Sequence, residues 1–144
     1  MSRNTWIFVA LGVFFWIADA VFIRYTGVEL FHFGSNWLIG LFLATPFAGW
    51  VLIKTCLAVT GIPDGQALPP ITILCTTGLL LDGITISQYR WLYGDSTEHV
   101  LLGAAWLLWG VGVLLILALY LETRSGNYPA TRSETPTNET RPTS

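Results

Sequence analysis

The hydrophobic positions of this chain gather into four stretches, over residues 5–25, 36–59, 70–93 and 99–121, with short polar or turn-forming segments between them. Each stretch is about 20 residues or slightly longer, which is what an α-helix needs to cross a hydrocarbon core about 30 Å thick. The segment at 27–35 is partly aromatic. The segment at 60–69 holds the turn-forming run Gly61-Ile62-Pro63-Asp64-Gly65, and the one at 94–98 is polar. Connections this short favour antiparallel neighbours, so the pattern predicts an all-α polytopic membrane protein: four transmembrane helices in an up-down-up-down bundle, forming a domain over 1–122. Residues 123–144 are mostly Thr, Ser, Asn, Pro, Glu and Arg. A segment with so little apolar surface cannot offset its ordering entropy, and a disordered cytoplasmic tail is expected.

Composition strengthens the membrane reading. Of 144 residues, 53% are hydrophobic and 11% charged, whereas a soluble domain carries about 25% charged residues. Too little charge is present to coat a water-facing globule. A net charge of -2, with no cluster of Lys and Arg, excludes nucleic acid as a partner. The expected partners are the lipid bilayer and either a second copy of the chain or another membrane protein.

Arg3, an apolar run and Ala18-Asp19-Ala20 together mimic a secretory signal with a cleavage site. Val21-Phe22-Ile23 carry the apolar run straight past that site, so an uncleaved first helix is expected. The basic residues set the orientation. Arg3, Lys54 and Arg124 would share one face, with Arg132 further out on the tail. Arg24 and Arg90 would share the other with Glu29, Asp95 and Glu98. This bias places both termini in the cytoplasm, in a cell membrane of the bacterial inner-membrane kind.

Candidate chemistry lies in the polar residues inside the apolar stretches. Asp82 falls about 18 Å along the third helix, near the middle of the hydrocarbon. A carboxylate there costs roughly 2.5–3.5 kcal/mol to insert and must face the bundle, take up a proton or find a donor. Cys75, Gly78, Thr85, Tyr89 and Tyr93 share its stripe at helical spacing, and Arg90 stands two turns on, within reach of the acid. Asp19 lies about 21 Å along the first helix, at a similar height. Facing each other, the two acids would form a proton-holding pair; apart, each would need its own basic partner. The candidate ligand- or proton-binding residues are therefore Asp82, Asp19, Arg90, Tyr89 and Thr85. The alternative is structural, with acids that only fix helix packing through hydrogen bonds. Both readings stay open at this point.

The remaining features carry less. Gly12 shares the Asp19 face and would admit a second helix closely, and Gly103, Ala104, Gly110 and Gly112 would do the same for the fourth helix. Pro46 frees a carbonyl and should kink the second helix. Lys54 reads as a snorkelling anchor. Trp106 and Trp109 read as core or lipid-facing bulk, and His32 and His99 as solvated loop residues. Cys56 and Cys75 read as free structural thiols in a reducing compartment. No catalytic array, metal-ligand spacing or cofactor-binding loop is present in the sequence, so no catalytic residue, metal or cofactor is expected.

Gly78-Leu79-Leu80-Leu81-Asp82-Gly83, the aromatic-rich helix end after it, Trp106-Leu107-Leu108-Trp109-Gly110, and the first-helix ending Phe22-Ile23-Arg24-Tyr25-Thr26-Gly27 form a combination with a known parallel. Over roughly 6–121 the chain resembles a family of small four-helix bacterial membrane proteins of unknown function. The resemblance implies a fold and a membrane location, with no activity attached. Two functions follow as expectations: a non-enzymatic accessory or structural bundle, or a small oligomeric transporter or proton-coupled carrier using Asp82 with Asp19 or Arg90.

Overall fold

A computed structural model describes residues 3–125. The described chain is all-helical: α1 (Arg3–Leu30), α2 (Asn36–Thr60), α3 (Leu68–Gln88) and α4 (Thr97–Arg124), with 3-10 turns at Asp64–Gln66 and Arg90–Leu92. All four helices are long and apolar enough to cross a membrane. Large apolar side chains such as Trp37, Leu43, Phe47, Leu80 and Ile116 stand exposed on the outer surface, as they should where the solvent is lipid. The tail expected to be disordered lies, from residue 126 on, outside the described residues; its first two residues, Thr123 and Arg124, complete the last turn of α4.

The caps follow from local sequence. Gly61 takes the left-handed conformation that ends α2 (φ 69°), and the Ile62 N–H reaches back to the Leu57 carbonyl at 3.1 Å. This is the hydrogen-bonding pattern that a glycine at that position permits. Prolines at the first turn of α3 sacrifice donors that would be orphaned anyway. The Leu68 N–H is met by Glu122 Oε2 of α4 at 2.9 Å. The Ser96 hydroxyl caps α4 by accepting from the His99 N–H at 3.1 Å. At the same end as Glu122, Lys54 forms an ion pair with Asp64 and lies over the Trp50 ring at 5.5 Å. Lys54 thus has a partner beyond the snorkelling role expected of it, though an ion pair so exposed adds little stability.

Two helix ends differ by five residues from those expected, more than any other boundary. The first helix runs on through Gly27 to Leu30, because Gly27 serves close packing rather than a turn. The third stops at Gln88, short of the expected residue 93. Its last donors fold into the 3-10 turn, with Leu92 N–H to Tyr89 O at 2.9 Å and Tyr93 N–H to Arg90 O at 3.0 Å. That corner returns Tyr93 to the interior.

Within the bundle α1 packs mainly on α3, α2 on α4, and α3 on α4, while α1 and α2 scarcely touch. Gly12 allows the α1–α3 approach: an added Cβ would lie 2.8 Å from the Leu74 carbonyl oxygen and 2.9 Å from Thr77 Cβ. Buried apolar residues form two clusters. One, around Phe8, Ile53, Leu57 and Ile71, fills the Lys54 end; the other, around Ile23, Phe31 and Tyr93, fills the His99 end. Cys56 and Cys75 are buried and not disulfide-bonded.

Pro46 is accommodated within a continuous α2. The proline deprives the Phe42 carbonyl of its helical donor, and Trp109 of α4 supplies one, its Nε1–H donating to Phe42 O at 3.1 Å. One turn away, Trp106 Nε1–H donates to Thr45 Oγ1 at 2.9 Å. Both indoles therefore bridge helices instead of serving as plain bulk. Trp109→Phe is expected to lower stability by about 0.6 kcal/mol, the usual worth of an interhelical hydrogen bond in a membrane. In a Pro46→Ala background the helix reclaims the carbonyl, and the cost of Trp109→Phe should shrink toward zero. A double-mutant cycle by thermal melting in detergent measures both values.

Candidate functional site

The buried stripe of α3 is the one its spacing predicts, up to the helix end: Cys75, Asp82 and Thr85 are all buried, with Gly78 between them partly so. Asp82 is 8% exposed. Its partner is Tyr93, whose hydroxyl donates to Asp82 Oδ1. Trp16 of α1 donates from Nε1 to the Tyr93 oxygen at 3.0 Å. The result is a donor chain, Trp16 to Tyr93 to Asp82, in which each bond polarises the next. Burial, and after it the bond to Asp82, pushes the Tyr93 phenol above its usual range. The hydroxyl therefore remains protonated and remains a donor.

The candidates separate. Asp19 and Asp82 line one cavity at mid-height, between the two apolar clusters, and lie close enough for their charges to interact. Thr85 is buried on the same face of α3. Tyr89 and Arg90 are exposed, and neither lines the cavity. The expected reach of Arg90 back to Asp82 does not occur, because the break after Gln88 carries Arg90 to the surface and Tyr93 inward. Arg24 is no partner for Asp19 either: its guanidinium donates to the Trp91 carbonyl and sits 6.0 Å from the Trp91 ring.

The cavity has a volume of about 220 Å³ and a mainly apolar lining contributed by all four helices. Trp16 and Trp106 are part of that lining. Among the described residues no Lys, Arg or His lines it. The two carboxylates differ in their surroundings. Asp82 is held by Tyr93, whereas no described residue gives the Asp19 side chain a hydrogen bond, and Asp19 is only partly buried against the open space.

No protein-family model matches this chain, and no curated protein or solved structure matches it either.

Trp16 is not among the residues expected at the site, and Tyr93 and His99 stand in other settings than those expected. Trp16 stands three residues before Asp19 and hence on its face, and an indole N–H inside a membrane needs an acceptor; that was the available signal. Tyr93 was placed on the Asp82 stripe as though α3 continued, but it reaches the acid through a turn. His99 was expected to be solvated and is instead buried, stacked on Phe31 at 5.7 Å with its Nε2 2.8 Å from the Ile23 carbonyl oxygen. It seals the His99 end of the bundle and has no place in the cavity.

Proposed function

We propose that this protein is a small membrane carrier whose working group is Asp19, with Asp82 fixed beside it by Tyr93 and Trp16. One observation carries the reading: Asp19 borders a cavity in the middle of four apolar helices and no described residue gives its side chain a hydrogen bond. A carboxylate left this way costs stability, and such a group in a membrane interior is a functional-site hypothesis by default. The proposed setting is a cell membrane with both termini cytoplasmic, supported by Lys54 and Arg124 lying at the same end of the bundle. Function as a homo-oligomer, or with a partner membrane protein, belongs to the same proposal.

The second reading is the accessory bundle in which buried acids fix packing. It is favoured by the Tyr93–Asp82 hydrogen bond, which accounts for Asp82 without any ligand.

Carboxyl ¹³C chemical shifts of labelled aspartate, followed against pH in lipid nanodiscs, separate the two. The carrier reading expects a reversible titration inside the bundle that vanishes in Asp19→Asn and persists in Asp82→Asn, with both variants folded. No such titration, or one that survives Asp19→Asn, would sink the carrier and leave the structural bundle.

A further inference from the structure

We infer that the cavity takes a small organic monocation with an apolar body, and that this ligand enters sideways from the bilayer between α1 and α2. The inference rests on the carrier reading above and adds to it the class of ligand and its route.

Charge decides the sign. Two carboxylates and no described basic side chain line the cavity, so an anion would be repelled without compensation. The scarcity of oxygen donors decides the kind of cation. A metal ion requires several ligands to replace its hydration shell, and the described residues contain no group of three or more His, Cys, Asp or Glu that could hold one. Thr45, a further polar residue of the lining, already bonds to the Leu41 carbonyl and to Trp106. A substituted ammonium group has little hydration to replace. It needs one counter-charge, which Asp19 supplies, and it gains from aromatic faces such as Trp16 and Trp106. Volume sets the size: an apolar cavity of about 150 Å³ holds benzene, so 220 Å³ leaves room for one ring and a small cationic head.

The route follows from how the helices pack. The ends of the bundle are plugged, by Phe8, Ile53 and Leu57 on one side and by Ile23, Phe31 and Tyr93 on the other. Between α1 and α2 packing is sparse. An outer groove of about 410 Å³, lined by Phe15, Phe47, Ala48, Val51, Leu52 and Thr55, runs along this gap. Phe15, Ala48 and Leu52 line the groove and the inner cavity alike, so the two spaces adjoin at these side chains. These residues stand near the middle of their helices, where the surroundings are acyl chains rather than headgroups. A ligand using this door must first dissolve in the bilayer, which is why an apolar body is required.

The test is equilibrium and kinetic binding of labelled benzyltrimethylammonium to the full chain in lipid nanodiscs, with empty nanodiscs as background. Neopentylbenzene, the same shape without charge, and choline, the same charge without the ring, are the comparison probes. Saturable binding of benzyltrimethylammonium is expected, at least about tenfold tighter than either comparison probe, with a similar loss in Asp19→Asn. Val51→Trp, in the outer groove and outside the cavity lining, is expected to slow association and dissociation together. Equal binding of neopentylbenzene would overturn the cation class, as would tight binding of choline. Unchanged rates in Val51→Trp, or a loss of affinity with no change in association rate, would overturn the lateral route. If benzyltrimethylammonium does not bind while the Asp19 carboxyl still titrates, the ligand class fails and the carrier reading survives. If the titration is missing as well, both fall.

Discussion

Gly27→Ala should destabilise the protein by about 2–5 kcal/mol, although it adds a single carbon. A Cβ at that position would lie 1.6 Å from His99 Cε1 and 1.7 Å from Nε2. A flexible neighbour would move aside, but this ring is held on several sides. It stacks on Phe31 with an interplanar angle of 14°, its Nε2 bonds to Ile23 O, and it lies so near Gly94 that a Cβ there would be 2.3 Å from Nδ1. Relieving the clash means pushing the imidazole out of its slot, which adds an unsatisfied buried group to the cost of overpacking. Thermal melting in detergent gives the size of the effect. Gly40→Ala and Gly83→Ala are the controls, since a Cβ at either position meets nothing within 4 Å; both should melt near or above the parent because alanine favours the helix. Removing the ring in Gly27→Ala/His99→Ala should recover part of the loss. A Gly27→Ala protein that melts with its parent would show that the ring is not pinned.

Tyr93→Phe is expected to cost about 1–3 kcal/mol, from one oxygen atom. That oxygen donates to Asp82 and accepts from Trp16, so its loss strands a buried acid and an indole N–H together. Replacing both ends of the bond with apolar groups should be far milder than removing one. Tyr93→Phe/Asp82→Leu is therefore expected to regain most of the stability lost in Tyr93→Phe alone. The same melting assay decides it. Additive losses in the double variant would mean that Tyr93 and Asp82 do not act as a pair.

How far the sequence could be read depended on the range of each interaction. Helix number, helix length and the inward face of α3 are properties of short stretches, and the 75-78-82-85 spacing marked that face correctly. Asp19 and Asp82 were placed at matching heights by counting residues, and both do line one cavity. What local periodicity cannot carry is which side chain meets which across helices. The Trp16–Tyr93, His99–Ile23 and Trp109–Phe42 hydrogen bonds span 77, 76 and 67 residues of chain. The Arg90 expectation failed for a related reason: it extended a helix through Gln88-Tyr89-Arg90, where the backbone turns instead. Pro46 was legible as a freed carbonyl, but the residue that satisfies this carbonyl sits on another helix.

The sparse contact between α1 and α2 also bears on how the protein is made. A ribosome delivers these two helices first, as a hairpin whose members have little to hold each other. Each finds its main partner two helices later, α1 on α3 and α2 on α4. Until α3 emerges, Asp19 has neither Asp82 across from it nor a cavity wall around it, and the Phe42 carbonyl must wait for α4 to bring Trp109. Assembly is thus deferred to the second half of synthesis, and the half-made chain carries its least lipid-compatible groups without shelter. For this bundle the acid of the first helix is without its protein surroundings until the third helix arrives.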